Sequence, residues 1–261
     1  MKRFAVWVGL GIAVALAATT SVNASVNDFE FQSFEADYYL SADSVGRSTL
    51  KTVEKLTAEF PSFDQNHGIE RVIPKNYDGH STSLHIESVT DESGRKLNYT
   101  TYDSNSNEVL RIGDGDKYVR GTQTYVITYT QRDVTKYFAD TKDDEFYWDT
   151  NGMQWLQPFG VVTARVHIAD SLKPTFTKEI ACYKGVEGST KQCEITTDGS
   201  VVTAHASSLG AGENMTIAVG FTAGTFRGYE PSLWDRVVMI WWMTVFISSL
   251  IGIIAIIWLS I

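Results

Sequence analysis

Five stretches of the chain alternate apolar and polar side chains with a period of two. Phe34, Ala36, Tyr38 and Leu40 are interleaved with Glu35, Asp37, Tyr39 and Ser41. The same rhythm runs through Leu56, Ala58 and Phe60, through Tyr125, Ile127 and Tyr129, through Val162, Ala164, Val166 and Ile168, and through Met215, Ile217, Val219 and Phe221. Successive strand side chains point to opposite faces, so each stretch predicts a strand with one buried face. Weaker strands are expected near Leu84–Val89, Val109–Ile112, Glu179–Cys182, Cys193–Thr196 and Val201–His205. The spacers are turn formers: Asp78-Gly79, Asp91 to Gly94, Asp103 to Asn107, Asp114-Gly115-Asp116 and Asp198-Gly199. Asp-Gly supplies the positive-φ residues that tight hairpins need. No long stretch before residue 237 has a helical period. The pattern implies an all-β fold, an antiparallel β-sandwich of Ig-like or related type over residues 25–228, with a candidate sub-boundary near residue 170.

The two ends break this rhythm. Lys2 and Arg3 precede the apolar run Phe4 to Ala18, and Val22-Asn23-Ala24 forms a small-residue cleavage site before Ser25. Residues 1–24 therefore read as a secretory signal peptide. From Val237 to Ile261 the chain carries no charge, and its only polar residues are Thr244, Ser248, Ser249 and Ser260. At ~1.5 Å per residue the stretch is long enough to cross a ~30 Å hydrocarbon layer as one transmembrane α-helix. Trp241, Trp242 and Trp258 fit aromatic belts at its two ends. Residues 229–236 form a short juxtamembrane stalk, so the β domain should sit close to the membrane. The predicted topology is single-pass, with the β domain on the extracytoplasmic side. No Lys or Arg follows the span, and the natural chain is expected to continue beyond Ile261.

Charge narrows the partners. All 31 acidic residues and 20 of the 22 basic ones lie between Ser25 and Arg236, a net charge of −11. Such a domain repels phosphate backbones, which argues against nucleic acid. The two cysteines, Cys182 and Cys193, are spaced so that a hairpin could join them. In an exported chain an even pair reads as a disulfide, worth up to ~3 kcal/mol in the chain-entropy model; the rival reading is two free thiols.

Several segments are familiar when taken in order. His67-Gly68-Ile69-Glu70-Arg71-Val72-Ile73-Pro74 is followed by Leu110 to Asp114, Gly121 to Tyr129, Glu145-Phe146-Tyr147-Trp148-Asp149, Asn151-Gly152 and Trp155. From about Phe34 to the span the chain resembles the YciQ-like predicted membrane proteins of bacteria, the domain-of-unknown-function family 2207. The resemblance implies an exported β domain followed by membrane helices, in a bacterial cell envelope. It implies no activity, because the family has none assigned. Packing explains the same motifs: Gly68 would make a tight turn, and Tyr125, Ile127 and Tyr129 would face a core.

The segment from Asp143 to Trp155 offers the strongest chemical lead. Carboxylates interleaved with aromatic rings are what a sugar-binding groove uses, which makes Glu145, Tyr147, Trp148, Asp149 and Trp155 candidate ligand contacts. The competing reading is that Trp148 and Trp155 fill the core. A glycan hydrolase acting through Glu145 with Asp149 or Asp144 requires two carboxyl groups about 5–10 Å apart. Asp114 and Asp116 suggest calcium, although the further oxygens of an EF-hand loop are missing and a hairpin turn accounts for them. The histidines are scattered, and neither a nucleophile elbow nor a nucleotide-binding glycine pattern occurs. No catalytic motif or cofactor site is identified. The expectation is a non-enzymatic envelope module that binds a protein or a glycan. A structural subunit of a membrane assembly, packing through Ser248, Ser249 and Gly252, is the further alternative.

Overall fold

The computed structural model describes residues 25–231 and 233–259; the expected signal peptide lies outside the described residues. The strands follow the alternation. β1 (Glu30–Ala42) and β2 (Ser48–Phe60) are the two longest, and β3 (Gly68–Pro74) comes next. A small hairpin, β4 (Asn76–Tyr77) and β5 (His80–Ser81), turns at Asp78-Gly79 as the sequence implies. β6 (His85–Thr90), β7 (Tyr99–Ser104), β8 (Asn107–Gly113) and β9 (Gly121–Arg132) follow, then β10 (Lys136–Phe138) and β11 (Asp143–Asp149). The second half holds β12 (Phe159–Ile168), β13 (Phe176–Gly185), β14 (Glu194–Thr197), β15 (Val201–Leu209) and β16 (Asn214–Thr222). One helix, α1 (Leu233–Leu259), closes the described chain.

Seven strands form one sheet in the order β14-β15-β12-β1-β2-β9-β6. Four form a second, β10-β11-β16-β13, and three form a third, β3-β8-β7. One expectation is corrected here. The large sheet is mixed, because β1 pairs antiparallel with β2 on one side and parallel with β12 on the other. Parallel neighbours need a long crossover. The chain supplies one by building β2 to β11, which include β2, β6 and β9 of the same sheet, the whole three-stranded sheet and half of the four-stranded one, before returning to β1.

The alternating positions point inward as predicted: Phe34, Ala36 and Tyr38 on β1, Ile127 on β9, and Val162 and Ala164 on β12 are all fully buried. Aromatic contacts join the sheets. Tyr38 meets Phe146 of β11 at 5.9 Å, and Phe31 meets Trp155 at 4.7 Å. Gly68 and Gly113 face each other across β3 and β8 at φ +145° and +147°, and a Cβ on either would lie 1.9 Å from a carbonyl oxygen, that of Ile112 for Gly68 and that of His67 for Gly113. Only glycine fits this crossing.

Among the described residues, the apolar core contains one ion pair. Glu54 and Arg71 are 0 % and 3 % exposed. Arg71 grips Glu54 through two parallel bonds of 2.7 and 2.6 Å. Tyr129 donates its hydroxyl to the same carboxylate at 2.7 Å, and Arg71 donates to the Asn151 carbonyl at 2.7 Å. Burial works against the Arg71 charge, but Glu54 outweighs it, so the guanidinium is held above its ordinary range. Burial and the same carboxylate raise the Tyr129 phenol well above its usual value. Removing one member of a buried pair strands the other. Arg71→Met is therefore expected to lower the free energy of unfolding by about 3–5 kcal/mol, read from urea midpoints, and adding Glu54→Gln should recover part of the loss.

Three hairpins carry carboxylate caps. Asp43 accepts the N–H groups of Val45 and Arg47, Asp91 accepts the Ser93 hydroxyl and N–H together with the Arg95 N–H, and Asp198 accepts those of Ser200 and Val201. The Arg47 N–H, the Ser93 hydroxyl and the Val201 N–H are the main causes that hold the three carboxyls below their ordinary 3.8. A lowered folded value adds stability that is complete above the ordinary range and is lost as pH falls through the lowered value. Melting temperature should thus drop as pH is taken below about 4, and Asp91→Asn should shrink that acid-side loss in a circular-dichroism series.

Candidate functional site

The aromatic–acidic segment is β11 and the turn after it. Strand alternation divides its side chains between two faces. Asp144, Phe146 and Trp148 point inward and are buried. Trp148 stacks on Phe146 at 5.5 Å and on Tyr77 at 5.9 Å. The Asp144 carboxylate accepts the backbone N–H of Phe226 at 2.9 Å. On the opposite face Tyr147 and Asp149 are exposed, while Glu145 is covered and accepts the Thr141 hydroxyl at 2.5 Å. Trp155 is core, with its indole N–H donated to the Asn151 carbonyl at 2.8 Å and its ring edge-on to Phe31 and Phe159.

The five candidate ligand contacts therefore separate. Tyr147 and Asp149 line an open cleft of about 700 Å³ on the outer face of the four-stranded sheet. Trp155 borders a different cleft, of about 740 Å³, beside Phe29, Tyr99 and Leu156. Trp148 and Glu145 line neither. The carboxyl pairs considered for hydrolysis do not converge. Glu145 and Asp149 are four residues apart on one strand, about 13 Å at ~3.3 Å per residue, and Asp144 faces the other way.

The first cleft contains residues that periodicity did not single out. Tyr183 and Gln192 stand across it from Tyr147, and Asn214 and Thr216 of β16 lie next to Asp149. One Asp149 oxygen accepts the Asn214 amide at 2.8 Å and the Thr216 hydroxyl at 2.7 Å, which fixes the carboxylate at the cleft floor. Partial burial and then the neighbouring Asp149 charge raise the Tyr147 phenol, keeping it protonated as a donor. The far wall is the loop from Gly185 to Thr190, which leaves β13 and returns to the Cys182–Cys193 disulfide with a Cα separation of 5.1 Å. Ser189 donates its hydroxyl to the Lys184 carbonyl at 2.7 Å, tightening the loop from within. The pairing of two cysteines eleven apart was the available clue to a constrained loop here.

The two aspartates of the calcium alternative lie in a turn. Asp114 accepts the Asp116 N–H at 3.1 Å with one oxygen and binds Lys117 at 2.9 Å with the other. Among the described residues no group of three or more His, Cys, Asp or Glu side chains could hold a metal ion.

Sheets, cleft and cystine together define a β-rich domain with an open, aromatic and acidic groove. Residues 30–221 match the family described as predicted membrane protein (DUF2207) N-terminal domain, and the chain belongs to that family. No curated protein matches it in sequence. Among solved structures it is similar to native leukotriene A4 hydrolase from Saccharomyces cerevisiae, with 11% identity and a TM-score of 0.47 over 77% of this chain and 31% of that one. It is also similar to the M1 zinc metallopeptidase from Deinococcus radiodurans, with 10% identity and a TM-score of 0.39 over 76% of this chain and 45% of that one. The chain thus spans less than half the length of either, and likenesses this loose carry no argument about activity.

Opening the cystine should free the cleft wall. Cys182→Ala with Cys193→Ala is expected to cost up to about 3 kcal/mol of stability by urea denaturation. It should also raise amide exchange across residues 185–192 above that of β15.

Proposed function

We propose that this chain is a membrane-tethered, non-enzymatic binding module of the bacterial envelope that recognises glycans through the Tyr147–Tyr183 cleft. On this reading the large sheet is layered over the two smaller ones as a sandwich, and α1 crosses the membrane once with the domain outside. The observation that carries the proposal is the cleft itself. Two tyrosine rings offer flat apolar faces, the Asp149 carboxylate and the Gln192 amide offer hydroxyl partners, and a cystine-tied loop holds the wall in place.

Support for the tether comes from α1. Among the described side chains, Leu233 to Ser249 apart from Asp235, every residue is exposed, Trp241, Trp242 and Phe246 included. Thr244, Ser248 and Ser249 turn their hydroxyls onto the helix's own carbonyls at 2.7 Å. An apolar surface with its polar groups satisfied internally suits lipid. The described side chains of α1 number fewer than the ~20 residues a span needs, and among the described residues no helix is long and apolar enough to cross a membrane. The apolar sequence running on to Ile261 supplies the remainder.

The full chain in lipid nanodiscs, titrated with a panel of neutral and acidic envelope oligosaccharides, tests the module. Tyr147→Ala and Asp149→Asn should each weaken the best ligand about tenfold, roughly 1.4 kcal/mol, with melting temperature unchanged. Binding that survives both substitutions, or no binding by the parent, would remove the cleft from consideration.

A further inference from the structure

The segment that joins the β domain to its helix belongs to the fold. Phe226 is buried, edge-on to Phe221 at 5.3 Å, with its N–H on the buried Asp144 carboxylate. Arg227 donates its backbone N–H to the Gly46 carbonyl at 2.8 Å. Tyr229 lies flat on the His80 ring, centroids 4.3 Å apart and planes within 7°. His80 is held in turn by a 2.8 Å contact between its Nε2 and the Asp133 carbonyl. The chain is thereby pinned to two hairpin tips, Asp43 to Arg47 between β1 and β2 and Asp78 to His80 between β4 and β5. From Tyr229 to Leu233, where α1 begins, there are four Cα steps, a reach of at most about 14 Å.

We infer that this end of the domain, led by the exposed Val45 at the β1–β2 tip, rests on the headgroup layer of the same bilayer that holds α1. The inference rests on the reading of α1 as a membrane span and goes beyond it by naming the face that meets lipid. Tether length is the first argument, since a domain pinned within about 14 Å of the helix cannot stand far above the surface. Charge is the second. The domain as a whole is strongly acidic, yet beside the β1–β2 tip and the linker the acids face bases: Asp43 with Arg47 at 3.3 Å, Asp78 with Lys136 at 2.9 Å, and Glu230 with Arg227 at 2.9 Å, while Asp140, Asp143 and Asp198, also at this end, form no ion pair among the described residues. Asp133 has Arg47 at 4.0 Å. Paired charges around an exposed valine suit a headgroup layer that the rest of the domain would be repelled from.

Site-directed fluorescence quenching in nanodiscs tests this with the full chain. Single cysteines replace Val45, Ser62 and Ser248 one at a time and are labelled with bimane under non-reducing conditions, which leaves the native cystine intact. Ser62 lies beyond the opposite end of β2, about 40 Å from Val45 along the strand. Nitroxide lipids, labelled either at the headgroup or in the acyl chain, act as quenchers. The expected result is strong acyl-chain quenching at Ser248→Cys and headgroup quenching several-fold greater at Val45→Cys than at Ser62→Cys. Equal headgroup quenching at positions 45 and 62, with position 248 still quenched, overturns the inference and leaves the span intact. No acyl-chain quenching at position 248 removes the span, and the lipid-facing end with it.

Discussion

The contact on which the architecture turns is the ion pair between Glu54 and Arg71. Each side chain occupies an inward position of its strand, where an apolar residue would be the ordinary choice. Taking either charge out of water alone would be prohibitive, so each is tolerable only while the other is in place. The pair joins β2 of the large sheet to β3 of the three-stranded one. Through the carbonyls of Thr150 and Asn151 it also reaches the turn that follows β11 in the four-stranded sheet. Hydrophobic packing alone would tolerate several relative settings of three sheets over one core. A two-pronged, fully buried bond between charges tolerates far fewer.

The candidate groove inherits this constraint. Asn151 receives the Arg71 guanidinium on its carbonyl and the Trp155 indole on the same oxygen, while its side chain bonds the Met215 N–H of β16. Asn214, next to Met215, bonds Asp149 on the cleft floor. A short chain of polar contacts thus runs from the core charge pair to the carboxylate exposed in the groove. The outward face of β11 is placed by what its inward neighbours bind.

Much of the fold could be read in the chain, and the failures have physical causes. The inward faces of β1, β9, β12 and β16 were legible because apolar residues recur there at every second position. β3 and β11 were not, because charges interrupt their inward series: Arg71 stands between Ile69 and Ile73, and Asp144 precedes Phe146 and Trp148. Hydropathy scores such residues as solvent-facing, whereas phase would have placed them inside. Glu54, in register with Leu56, Ala58 and Phe60, was the missing partner signal. The parallel pairing of β1 with β12 leaves no local trace, since alternation looks the same whichever way a neighbour runs. In the candidate segment, Tyr147 and Asp149 were legible as surface chemistry. Trp148 and Trp155 were read as alternatives between groove and packing; both rings pack in the core, and Trp155 also borders the second cleft. Tyr183 and Gln192 enter the cleft from a distant strand and loop, a proximity that only the folded topology creates.

The central position of β1 bears on how the molecule is made. A ribosome delivers this strand early, and its hairpin with β2 can close at once. Its other edge has to wait for Phe159 and the residues that follow. Until then a long, apolar-faced strand presents an unsatisfied row of backbone groups, a form of exposure that favours association with other chains. Pairings so distant in sequence also slow the closing step. On the export topology proposed above, that vulnerable interval would fall after translocation, and quality control on the far side of the membrane would govern how much of the protein matures.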